Sequence, residues 1–142
     1  MTEGAAYVPS EVGKKKDVES ALSYLLMEDV LDKLKLLEYE TKFCRQFMRA
    51  ALKPLRPNYF AVPGPNPSEQ FYYMSQIIAW LLNACGQRVT APSRTDDPNA
   101  VTATLIEEVK KLGLNTDFPP NRLKQASGEV VCGVINEMAK VA

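Results

Sequence analysis

Any chemistry in this sequence would have to come from two carboxylate pairs, Asp96/Asp97 and Glu107/Glu108, and from Cys44, Cys85 and Cys132. Adjacent carboxylates can divide general-acid and general-base work, and a thiolate can serve as nucleophile or metal ligand. Both chemistries lack their usual helpers. With no histidine, the commonest general base, the usual zinc ligand and the Ser-His and Cys-His nucleophile pairs are all missing. No GxGxxG, P-loop or CxxC pattern occurs, so nucleotide cradling and thiol redox chemistry have no geometry to work with. Asp96 and Asp97 precede Pro98, where helix capping explains them, and Glu107/Glu108 read as part of a solvated helix face. The cysteines are odd in number and lie in apolar helical contexts. They read as small buried hydrophobes in a reducing compartment, against the alternatives of a disulfide or a metal site. The expectation is a protein with no catalytic residue, no cofactor and no metal.

Composition narrows the class further. A chain of 142 residues, 46% hydrophobic, is one soluble domain large enough to bury a core. Its 17 basic and 17 acidic residues balance, so there is no global electrostatic case for nucleic acid or an anionic membrane. The start shows no basic, apolar and cleavage-site succession, so a cytosolic compartment is expected.

What remains is a surface. If Tyr39–Leu52 is a helix, Tyr39, Phe43, Phe47, Met48 and Ala51 share its inner side, and Lys42, Arg45 and Arg49 lie within about 60° of one another opposite them. This is the one ordered basic stripe in the sequence. It reads either as a solvated helix face or as a partner-binding surface. Lys53 and Arg56 would extend it, but Pro54 argues against a continuing helix. The lysine run Lys14–Lys16, at the end of a small, polar and flexible tail (Met1–Lys16), serves solubility or steers toward an acidic partner.

These residues need a scaffold, and Asn66–Gly86 supplies its axis. Pro67 and Ser68 start a helix with Ser68 as N-cap, Glu69 supplies first-turn negative charge, and Gly86 is the left-handed residue that ends it. The roughly 17 residues between span about 25 Å. Apolar side chains cover most of the circumference, which marks a buried helix with Trp80 in the core. It is too short and too interrupted for a membrane span. One polar line remains, Glu69, Gln76 and Asn83, at a seven-residue step. Around this axis, Asp17–Leu37 reads as an amphipathic helix with Val18, Leu22, Leu25, Leu26, Val30, Leu31, Leu34 and Leu37 as its apolar positions, a break near Ser20–Ser23 and an Asp29–Lys33 pair. Pro57–Pro67 is a proline-rich connection whose Tyr59, Phe60 and Val62 tuck inward. Asp97 and Pro98 open a further helix that Gly113 closes. Phe118 anchors the next turn, Arg122–Ala126 forms a short helical turn, and Glu129–Ala142 is the last helix. The fold class is all-α, with residues 17–142 as its domain. No stop signal follows Met138–Ala142, which reads as a fragment of a longer protein.

Several segments together resemble a known family. They are MEDVLDKLKLLEYE (Met27–Glu40), NYFAVPGPNPSEQFYYM (Asn58–Met74), AWLLNACG (Ala79–Gly86), DDPNAVTATLIEEVKKLG (Asp96–Gly113) and DFPPNRLKQASGEVVC (Asp117–Cys132). Their order and wording resemble the N-terminal domain of the intraflagellar transport 57 (Hippi-like) family, from about Leu22 to the chain end. The residues before Asp17 and the inserted-looking Ala50–Leu55 carry no such signal. The resemblance implies a divergent calponin-homology fold of the kind shared with the kinetochore proteins Ndc80 and Nuf2. It also implies a subunit of the B complex that carries cargo along ciliary microtubules, located in the cilium and basal body. The partners it implies are the large intraflagellar transport 172 subunit, and the clusterin-associated protein through a coiled coil beyond this chain.

The function expected is therefore a non-enzymatic adaptor domain that docks onto another train component. The alternative is a calponin-homology domain that grips the acidic surface of tubulin, for which Lys42, Arg45 and Arg49 would be the contact residues.

Overall fold

The computed structural model describes residues 11–142, with side chains from residue 21 onward. Most of the expected tail, the side chains of Lys14–Lys16 and that of Val18 lie outside the described residues. Helix α1 covers Glu11–Leu36 without a break, so the interruption expected near Ser20–Ser23 is absent. Ser23 is buried rather than kink-forming.

Helices α2 (Pro67–Ala84), α3 (Pro98–Lys111), α4 (Pro120–Lys124) and α5 (Glu129–Val141) follow in order, and all regular structure among the described residues is helical. The ends obey their local chemistry. Asn66, not Ser68, caps α2: its side chain accepts from the Glu69 N–H at 3.2 Å, with Pro67 in the first turn. Asn66 has the extended backbone of an N-cap (φ −126°, ψ 90°), whereas Ser68 is already helical. At the other end, Gly86 takes φ +95°. Its N–H donates to Asn83 O and that of Gln87 to Leu82 O, the paired bonds of a Schellman stop. Asp97 caps α3 through the Asn99 N–H, with Pro98 behind it, and Gly113 follows the helix at φ +80°.

The core gathers on α2. Met74, Ile77, Ile78, Leu81 and Leu82 are fully buried, and Phe43, Phe60, Leu105, Leu123 and Ile135 close around them. Trp80 is only partly buried, at the edge of this cluster, its ring 5.5 Å from that of Phe43. The second focus is α5. Helix α1 packs principally on α5, while α2 meets α3, α5 and the segment after α1. On α1 the buried side is Met27, Val30 and Leu34; Leu22 and Leu25, expected inside, are exposed. Asp29 and Lys33 form no ion pair with each other. Phe118, expected as the anchor of its turn, is half-buried, and Leu123 and Ala126 fill that role.

The expected second helix is the largest departure. Glu40–Phe47 is a π-helix, with the Met48 N–H donating to Phe43 O at 2.8 Å. An i→i+5 ladder is rare and widens the turn. Here it lets Phe43 and Met48, five apart, both face the core beside Cys44. Beyond it the backbone turns left-handed at Arg49 (φ 51°) and Ala50 (φ 64°), so the helix does not reach Leu52.

Candidate functional site

The carboxylates weighed for catalysis are all in use elsewhere or open to solvent. Asp96 accepts from the Ser93 N–H at 2.9 Å, Asp97 caps α3, and Glu108 pairs with Lys111 at 2.8 Å. Glu107 is exposed. No group of three or more metal-ligating side chains occurs among the described residues. The three cysteines are free, Cys44 and Cys132 buried and Cys85 half-buried. Burial raises all three thiols, Cys132 to about 12, so none supplies a thiolate near neutral pH.

The basic residues are arranged differently from the expected stripe. Lys42, Arg45 and Arg49 are all exposed, but they do not follow one α-helical face. Lys42 and Arg45 lie on the wider π turn, and Arg49 lies past its end. Lys42 stands 3.5 Å from Glu38 in an exposed pair, of the kind worth about 0.5 kcal/mol or less.

The irregular run Ala51–Arg56 that follows, far from continuing the helix, forms one wall of a groove of about 510 Å³. Gly64–Asn66 forms the other wall, and Leu52, Leu55, Tyr59 and Tyr73 contribute to the lining. Lys53 and Arg56 stand exposed at this groove and make no ion pair among the described residues. Its one acid among the described residues, Glu69, is bound by Arg94 at 2.7 Å, a bond that holds its carboxyl below the usual range.

The groove is built by buried polar side chains. Tyr39 OH accepts from the Leu55 N–H at 3.0 Å, and Tyr73 OH donates to Lys53 O at 2.6 Å. These bonds fasten Ala51–Arg56 to the core at two points. Burial raises both hydroxyls above their ordinary 10.0, that of Tyr73 the more strongly, so they stay protonated. The opposite wall hangs on Gln70. Its Nε2 shares its hydrogens among Tyr59 O, Val62 O and Ala126 O at 3.0 to 3.1 Å, and its Oε1 accepts from the Gly64 N–H at 2.7 Å. A Cβ on Gly64 would lie 2.7 Å from that oxygen, so only glycine allows this approach. Sequence reasoning missed Tyr39, Gln70 and Tyr73 as organisers. Tyr39 lies between Glu38 and Glu40, Gln70 follows Ser68 and Glu69, and Tyr73 sits in an aromatic run, so no spacing marks any of them as bonded to a distant backbone atom.

The model of the family described as "Intra-flagellar transport protein 57" matches residues 27–142 of this chain. The chain is 44% identical over 118 residues to "Intraflagellar transport protein 57 homolog" of Xenopus laevis, covering 83% of this chain and 28% of that protein. It is 42% identical over 119 residues to the homolog of Homo sapiens, covering 84% of this chain and 27% of that one. With "Intraflagellar transport protein che-13" of Caenorhabditis elegans it shares 34% identity over 139 residues, 97% of this chain and 32% of that protein. The chain thus spans under a third of the length of these relatives.

Proposed function

The chain belongs to the intraflagellar transport protein 57 family, and on that footing we propose that it is a non-enzymatic interaction domain of the calponin-homology type. It holds its subunit against another component of the ciliary transport complex during cilium assembly. The contact surface is the groove between Ala51–Arg56 and Gly64–Asn66, with Lys53 and Arg56 at its edge and Lys42, Arg45 and Arg49 on the adjoining segment. The observation that supports this reading is the pair of unpaired cations above a lining of leucine and tyrosine. Aromatic and arginine side chains around a partly desolvated pocket are the usual anchors of a protein interface. An acidic, partly apolar surface of a partner subunit matches that lining.

A tubulin surface is also acidic, so the same cations favour the cytoskeletal reading as the second possibility. The two separate in one experiment. The domain is used to capture binders from ciliary extract, and in parallel is spun with microtubules at low and moderate salt. Capture of transport-complex subunits that is lost on Lys53→Glu/Arg56→Glu supports the adaptor reading. Strong, salt-sensitive pelleting abolished by charge reversal at Lys42, Arg45 and Arg49 overturns it in favour of tubulin.

A further inference from the structure

Gly133 lies in the interior of α5 in ordinary helical backbone, with none of the positive φ that calls for glycine elsewhere in this chain. A Cβ built on it would meet nothing within 4 Å among the described residues. Glycine is the poorest helix former after proline, so neither a turn nor a close approach within the domain accounts for it. The missing side chain leaves open part of the lining of a groove of about 290 Å³. Leu26 of α1, Leu114 and Phe118 of the connection after α3, and Val130 and Val134 of α5 supply its apolar surface. Among the described residues, every ionisable side chain in that lining is a carboxylate: Asp117, Glu129 and Glu137. Glu137 is paired with Lys140 at 2.7 Å, while Asp117 and Glu129 have no ion pair among the described residues.

An occupant that matches this groove brings an apolar side chain for the lining and positive charge for the rim. We infer that it receives a basic, amphipathic segment of a partner protein, which seats an apolar side chain over Gly133 and sets lysine or arginine against Asp117 and Glu129. An acidic segment, the kind that suits the Lys53 and Arg56 groove, is repelled here. The domain therefore has two docking grooves of opposite charge preference, and the second stands whether or not the first is used.

The test uses the whole chain and two fluorescein-labelled peptides of roughly 14 residues, one of leucine and lysine at amphipathic helical spacing, the other with glutamate replacing lysine. The lysine peptide is expected to bind at least about tenfold more tightly than the glutamate peptide and to weaken as salt rises. Its amide shift changes should centre on Phe118 and Val130–Val134. Asp117→Lys/Glu129→Gln should lose about tenfold in affinity, as close charge pairs at interfaces do. Gly133→Leu should abolish binding by filling the groove while the variant melts no lower than the parent. Gly133→Ala, which fills little, controls for folding. Equal binding of the two peptides, no binding of the lysine peptide, shift changes confined to another face, or a dimer of the chain that covers Gly133 would each overturn the proposal. So would wild-type affinity in a folded Gly133→Leu variant. Lys53→Glu/Arg56→Glu should leave this binding undiminished, which separates its failure from that of the first groove.

Discussion

Gln76 Nε2 donates to Pro92 O at 2.5 Å, although Gln76 is buried at the middle of the most apolar helix. Its neighbours on the same seven-residue line do similar work. Glu69 holds Arg94, and Asn83 Nδ2 donates to Val89 O at 2.9 Å. The polar line of α2 therefore fastens the loop after it, residue by residue in reverse order, as that loop doubles back along the helix. Arg94 also lies 3.9 Å above the Tyr72 ring, so the last fastening combines an ion pair with a cation–π contact.

Replacing Gln76 with leucine should strand the Pro92 carbonyl and loosen the loop. Leaving a buried group unsatisfied costs about 1–3 kcal/mol, and with Pro92 only half-buried the urea midpoint should fall by an amount at the lower end of that range. Asn83→Ala, at an exposed position, should cost less.

Gln70→Ala should be more damaging than Gln76→Leu, because it frees three carbonyls and the Gly64 N–H at once. A loss of about 3–5 kcal/mol is expected, at the upper end for a buried network. Gly64→Ala acts on the same clasp through its clash with Gln70 Oε1. The double variant should therefore be less unstable than the sum of the singles, which a double-mutant cycle in denaturant will measure.

Phe43→Ala should destabilise more than Trp80→Ala. Phe43 is fully buried and meets the rings of Phe47, Tyr73 and Trp80 at 5.5 to 5.9 Å. It should cost the ~3–5 kcal/mol of a core aromatic. Trp80, partly buried at the edge, should cost about 2–3 kcal/mol, less than a fully enclosed ring. Thermal or urea melts of the two variants decide the order.

Stability should fall on the alkaline side. Burial raises the Cys132 thiol from 9.0 to about 12 and raises Cys44, Tyr39 and Tyr73 as well. A folded-state pKa above the unfolded one favours folding only while the unfolded group stays protonated. The stabilisation is thus complete below pH 9.0 and is lost as pH rises toward about 12. Cys132 removes up to ~1.4 kcal/mol per pH unit in that window, and Cys44, Tyr39 and Tyr73 add to the loss in the same direction, the two tyrosines only above their ordinary 10.0. Urea midpoints at neutral pH and above the thiol's unfolded pKa should show the fall, and Cys132→Ala should make it shallower.

Tyr73→Phe separates the groove from the core. It keeps the ring but deletes the bond to Lys53 O, at about 1–2 kcal/mol. Partner capture should weaken beyond what the stability change explains, because Ala51–Arg56 loses one of its two fastenings. A variant that captures partners like the parent would show that the groove wall is not the contact.

Much of this protein was determined locally and is therefore legible in the residue string. Helix periodicity, the Asp97–Pro98 start and the Gly86 and Gly113 stops are written within a turn or two of the residues they govern, so α2, α3 and α5 and the all-α class follow from them. The capping of α2 by Asn66 rather than Ser68 is also local, decided by which of the two keeps an extended backbone. Tertiary structure alone decided the rest. The π turn at Glu40–Phe47 arises because Phe43 and Met48 must both face one core, which breaks the regular step that placed Lys42, Arg45 and Arg49 on one stripe. The two grooves depend on bonds such as Gln70 to Ala126, 56 residues apart, and on where Gly133 falls relative to α1. Spacing along a chain records which residues share a face; it does not record which distant backbone atom a buried amide will find.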